Sequence, residues 1–176
     1  IAALVKSLHG NVMSSTGGPN TLVAPQMTQE ISDAIQLSCM IENSGQCTAL
    51  RHAYVGGATD EDMVSMFDAA PTISSPQDAL ENGAFAGVFD DTHPAPFDLA
   101  EGYSTHPSHS NIAYRVSSQL PEDEIEEHWR QTYVDMTAVN KDDFLQDDDD
   151  LNALSGWLVR NQPISLAMNT VNDDMT

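Results

Sequence analysis

The chain has 176 residues, with 6 Lys and Arg against 27 Asp and Glu, for a formal net charge of -21. A surface this acidic repels nucleic-acid phosphates and anionic lipid, so neither is expected as a main partner, and it suits a salt-adapted or highly soluble protein. No run approaches the roughly 20 apolar residues of a membrane span, and the opening IAALVKSLHG has neither the charged start nor the cleavage site of a signal peptide. A soluble domain, or part of one, is the expectation, and a chain of this size buries about 70% of its unfolded surface.

In chain order, Ile1, Leu4, Val5 and Leu8 form one apolar helical face, which Gly17, Gly18 and Pro19 close off. TLVA, Thr21 to Ala24, is a short strand between Asn20 and Pro25. Thr28 caps a helix that runs to Glu42, with Ile31, Ala34, Ile35, Ser38 and Ile41 as its buried face. HAYV, His52 to Val55, is the next strand, closed by Gly56 and Gly57. Thr59 and Asp62 have capping-box spacing ahead of Met63, Met66 and Phe67. Residues 70–112 are rich in Pro, Gly and Ser and read as mostly loop with short strands.

Regular structure returns with the strand IAYRV, Ile112 to Val116. Pro121 then opens an acidic helix or turn, and TYVDM, Thr132 to Met136, is a further strand. Asp147 to Asp150 precede a helix whose apolar face is Leu151, Leu154 and Leu158, with Arg160 near its end and Trp157 as core or subunit contact. Acids first and a base last suit the helix dipole, and the spaced acids and Gly turn of a calcium loop are missing. Strands alternating with helices predict an α/β domain with a largely parallel sheet and flanking helices.

Cys39 and Cys47 cannot form a zinc site alone, and two cysteines in such a chain fit a reducing, intracellular compartment. His93, His106 and His109 sit in the Pro-rich stretch at irregular spacing and read as solvated; no metal site is expected.

Three segments, in order, carry a family resemblance. STGGPNTLVA, Ser15 to Ala24, is similar to the Gly-Gly turn and strand of aldehyde dehydrogenases. IENSGQCTALRHAYV, Ile41 to Val55, resembles their nucleophile segment, most closely the SAGQRCSALR form of the glutamate-semialdehyde (pyrroline-5-carboxylate) branch. EEHWRQTYVDM, Glu126 to Met136, followed by NQPISLAMN, Asn161 to Asn169, resembles E-E-x-F-G-P-V and the later N-x-x-x-[YF]-G-L-A-A segment.

The resemblance implies that Cys47 is the catalytic nucleophile. Its thiolate would attack an aldehyde carbonyl to give a thiohemiacetal, hydride would pass to NAD or NADP, and the thioester would be hydrolysed. It implies that Glu127 binds the nicotinamide ribose hydroxyls, since a carboxylate accepts both bonds of a diol. Ser15 stands where the family has its general-base Glu, and a hydroxyl is a far weaker proton acceptor. GQC is one residue shorter than the family's GQ-x-C, and Arg130-Gln131 replace Gly-Pro. The nucleotide-binding half has no counterpart, and no GxGxxG or P-loop replaces it.

The expectation is therefore a single, incomplete catalytic-type domain over 1–176, inactive as this fragment alone. The full-length protein would be cytoplasmic or mitochondrial, a homo-oligomer, and would act on an aldehyde or semialdehyde. The alternative is a catalytically silent relative kept for binding or assembly.

Overall fold

A computed structural model of the chain describes residues 19–40, 49–70, 102–109, 111–122, 132–161 and 166–168. The runs rich in β-branched and aromatic residues form strands: β1 (Asn20–Ala24), β2 (Leu50–Gly56), β4 (Ile112–Ser117) and β5 (Thr132–Val139). Two short strands, β3 (Ser104–Thr105) and β6 (Leu166–Met168), complete one sheet in the order β3-β4-β5-β2-β1-β6. Every pairing is parallel except that of β3 with β4. The fold is thus α/β on a mostly parallel sheet, with β5, β2 and β1 at its centre.

Helices cover both faces, as a parallel sheet requires. On one face, α1 (Gln29–Cys39) and α2 (Asp60–Phe67) bury Ile31, Ile35, Cys39, Met63, Met66 and Phe67 against Leu22, Ala53, Val55, Val134 and Met136. On the other, α3 (Asp148–Asn161) lays Leu154 and Trp157 over Val23, Tyr54, Ala113 and Tyr133.

Local chemistry sets the helix starts. Thr28 caps α1, its hydroxyl accepting from Ile31 N at 3.3 Å. At α2 the capping box is complete: Asp62 N donates to the Thr59 hydroxyl at 3.2 Å, and Thr59 N donates to Asp62 Oδ2 at 2.8 Å. Replacing Thr59 with Ala is expected to lower stability by about 1 kcal/mol, read as a shift in denaturant midpoint with unchanged slope. A null shift would mean that α2 is held by packing alone. Close approach decides one glycine: a Cβ on Gly56 would lie 2.0 Å from the Pro25 carbonyl oxygen, where the chain leaving β1 crosses the end of β2.

Two expectations need correction. Ala34 is exposed and Ser38 half-buried on α1, so the buried face is the narrower Ile31, Ile35, Cys39 stripe. Ser38 instead ties α1 to the next strand, its hydroxyl accepting from Leu50 N at 3.2 Å. On α3, Leu151 is exposed and Trp157 takes the central place, because the helix turns its Leu154, Trp157, Asn161 stripe to the sheet. The expected helix over residues 1–10 and the acidic segment after Pro121, beyond Glu122, lie outside the described residues, as does most of 70–112.

Candidate functional site

Cys47, Ser15 and Glu127 all lie outside the described residues. The described residues fix the strands that follow them. Thr48 and Ala49 separate Cys47 from β2, Thr16 to Pro19 separate Ser15 from β1, and His128 to Gln131 separate Glu127 from β5. These three strands are neighbours and parallel, so their N-terminal ends lie together at the centre of the sheet. That end is tightly tied. The Asn20 amide donates to Ala49 O at 3.2 Å, the Thr21 hydroxyl donates to Pro19 O at 3.1 Å, and Thr132 N donates to Asn111 O at 3.1 Å.

Cys39 is fully buried at the end of α1 with a free thiol, and burial pushes that thiol up to about 12. A thiol with so little thiolate at neutral pH is a small core hydrophobe and no nucleophile. Alkylation near pH 8 is therefore expected to leave Cys39 unmodified until the chain unfolds, while Cys47 reacts first. Peptide mapping of the labelled protein reads this directly, and faster labelling at Cys39 would overturn it.

Beneath α3 lies a set of buried polar residues. The β1–β2 register slips between Asn20 and Thr21, leaving one extra residue on β2. Leu50 and Ala53 pack on the α1 side, whereas Arg51 and His52 both meet residues of the α3 side: Arg51 lies over the Tyr133 ring at 4.7 Å, and His52 lies 4.2 Å from Trp157. Register then places Arg115, Asp135, His52 and Thr21 in one row across β4, β5, β2 and β1.

Within that row the Arg115 guanidinium donates to Asp135 Oδ2 through Nε, at 2.7 Å, and through Nη2. The Tyr103 hydroxyl donates to the same oxygen at 3.0 Å. His52 Nε2 and the Thr137 hydroxyl are 3.0 Å apart. Burial pushes the Asp135 carboxyl up, against the pull of Arg115 and Tyr103. Burial, then the Asp135 charge, pushes the Tyr103 hydroxyl up. Burial first and the Arg115 charge second push His52 down to about 3, so its imidazole is neutral.

The sequence reading did not single out this row. Its signal was the lone charge inside two apolar strands, Arg115 in IAYRV and Asp135 in TYVDM. Pairing those strands in parallel sets the two charges side by side.

The histidines also differ from expectation. His106 and His109 are buried, with rings 5.0 Å apart, and not solvated. His106 Nε2 donates to Val64 O at 2.9 Å and its Nδ1 accepts from Ser108 N at 3.1 Å, which commits both nitrogens. Contact with α2, including the Phe67 ring at 6.3 Å, draws this stretch inward. Among the described residues no group of three or more His, Cys, Asp or Glu is placed to hold a metal ion. No helix among them is long and apolar enough to cross a membrane.

No protein-family model matches the chain, and no curated protein matches it. Among solved structures it is similar to the crystal structure of a bifunctional proline utilization A (PutA) protein, with a TM-score of 0.51 and 15% identity. The alignment covers 98% of this chain and 19% of that one, so the chain spans about a fifth of that protein's length. The likeness is one of fold: a mostly parallel α/β sheet shared with a segment of that protein.

Proposed function

We propose that the chain is part of the catalytic half of an NAD(P)-linked aldehyde dehydrogenase that oxidises an aldehyde or semialdehyde to the acid through Cys47. One observation carries the reading: β1, β2 and β5, the strands that follow Ser15, Cys47 and Glu127 within a few residues in sequence, are neighbouring and parallel. A nucleophile, a hydrolytic water and a hydride acceptor have to meet in one place, and this topology supports such a meeting. The likeness in fold to a PutA protein points the same way, since the motif resemblance is to the pyrroline-5-carboxylate branch.

In this reading the Cys47 sulfur forms the bond to the aldehyde carbon. Cysteine suits the step because even a few per cent of thiolate is strongly nucleophilic. The nicotinamide, when bound, accepts hydride, and Glu127 orients it through the ribose hydroxyls.

In the full-length protein, Cys47→Ser is expected to abolish dehydrogenase activity, read as NAD(P)H formation with a panel of aldehydes and semialdehydes. Activity that survives the substitution would refute the assignment. The 176-residue chain alone is expected to bind NAD(P) weakly or not at all, because only the Glu127 contact is proposed for it. A micromolar dissociation constant by calorimetry, about -8 kcal/mol, would contradict this.

A second reading rests on specific residues. Ser15 in place of the general base, the shortened GQC, and Arg130-Gln131 favour a silent relative kept for binding or assembly. Turnover separates the two: sustained acid formation by the unmutated full-length protein supports the enzyme, and acid formation that appears only in Ser15→Glu supports the silent relative.

A further inference from the structure

The two faces of the sheet are covered in different ways. The buried stripes of α1 and α2 are wholly apolar, Ile31, Ile35, Cys39, Met63, Met66 and Phe67, and all belong to one core with β1, β2, β4 and β5. The stripe of α3 is Leu154, Trp157 and Asn161, and its two apolar members sit in two separate, smaller clusters, with Leu158 half-buried at their margin. That interface also holds polar atoms with no hydrogen-bond partner: Trp157 Nε1 and Asn161 Oδ1 on the helix, and Nδ1 of the His52 ring that Trp157 covers at 4.2 Å. A buried polar group without a partner is destabilising, and it regains its hydrogen bond once water reaches it. Lifting α3 therefore gives up a modest apolar contact and satisfies these atoms.

The path of the chain permits such a movement. After β5 come only α3 and β6 among the described elements, and β6 is a three-residue, exposed strand at the edge of the sheet. The helix can leave, with or without β6, while β4, β5, β2 and β1 stay paired. The connection into α3 is strained as well. Leu145, three residues before the helix, has a φ of 48°, and among the described residues it alone adopts a positive φ without being a glycine. A bulky side chain in this conformation costs energy that is released when the connection is freed.

We infer that α3 is a lid: it lifts from the sheet as a unit, in an equilibrium separate from unfolding of the rest, and opens His52 and the strand face around it to water. Segments that open in this way are those with few buried apolar contacts. The inference stands on the α3 interface and is independent of Cys47.

The test is native-state hydrogen exchange of the 176-residue chain, read at single amides by NMR. Amides 152–161 of α3 are expected to be about 100-fold less protected than amides 33–39 of α1. Ile35→Val then separates lid opening from global unfolding. Ile35 is fully buried on the opposite face and stays packed while α3 is lifted. The substitution should lower protection in α1 and β2 by about 5-fold and leave that of α3 unchanged. Two results would overturn the inference: equal protection in α3 and α1 of the parent, or a fall in α3 that matches the fall in α1 on Ile35→Val. The parent pattern decides the matter even if Ile35→Val fails to fold.

Discussion

Trp157→Ala is expected to lower stability by about 3–5 kcal/mol, the range for deleting a large, fully buried aromatic side chain. The indole is inaccessible to solvent, lies 4.2 Å from the His52 ring, and packs with Ala113 and Tyr133. With Leu154 it is the main buried apolar contact of α3, whose Leu151 and Val159 face solvent. Truncation leaves a cavity between helix and sheet that the regular strand spacing cannot close. Domains are stable by only about 5–15 kcal/mol in all, so the variant should be partly unfolded at 37 °C. Trp157→Phe, which keeps an aromatic surface on His52, should cost about 1–2 kcal/mol. Denaturant melts followed by circular dichroism measure both. Equal and small losses would mean that α3 is not seated through this residue.

The second large effect is acid instability centred on His52. The folded state holds this imidazole down to about 3, against an ordinary value near 6.5 in the unfolded chain. A histidine depressed in this way contributes stability that is present above about pH 6.5 and lost as pH falls toward 3, because the unfolded state takes up the proton first. Between pH 7 and pH 4 the loss is about 3 kcal/mol. Asp135 works in the opposite sense. Its carboxyl is raised by burial, so its neutral form favours the folded state as pH falls through the folded value. The experiment is therefore a difference: stability against pH for the parent minus that for His52→Gln, which cancels the carboxylates common to both. A parent slope steeper than that of His52→Gln between pH 6.5 and 4 is expected, and parallel curves would show that His52 does not control acid unfolding.

Much of the sheet was legible in the sequence because its strands are short, apolar and bounded by turn residues. TLVA, HAYV, IAYRV and TYVDM all lie within observed strands, and Thr28 and Thr59 cap the helices that follow them. Their order across the sheet was not legible, since strand pairing depends on contacts between residues far apart in the chain. The burial of His106 and His109 was hidden for the same reason: it comes from Val64 and Phe67 on α2, and nothing next to these histidines in sequence announces it. The slip at Arg51 shows a further limit. Alternation along HAYV places His52 and Tyr54 on one face correctly, but the extra residue brings Arg51 to that side as well, and only the pairing with β1 reveals it. The proposed site at Cys47, Ser15 and Glu127 rests on motif resemblance alone and lies outside the described residues. The row of Arg115, Asp135 and His52 belongs to no motif and emerges from register alone.

The pairing of β2 with β5 also bears on how fast the chain finds its fold. The His52 contact to Thr137 joins residues 85 apart in sequence, and the central strands have no hairpin between them, since all are parallel. Closing such a distance must precede any reward from the sheet, which places the chain among slow folders, at milliseconds to seconds. Each doubling of the intervening length adds only about 0.6 kcal/mol to the closure cost. Insertions between α2 and β3 would thus hardly disturb equilibrium stability yet would prolong the search. During that search β1 and β2 stand ready to pair with a second nascent chain, so refolding yield should fall as protein concentration rises.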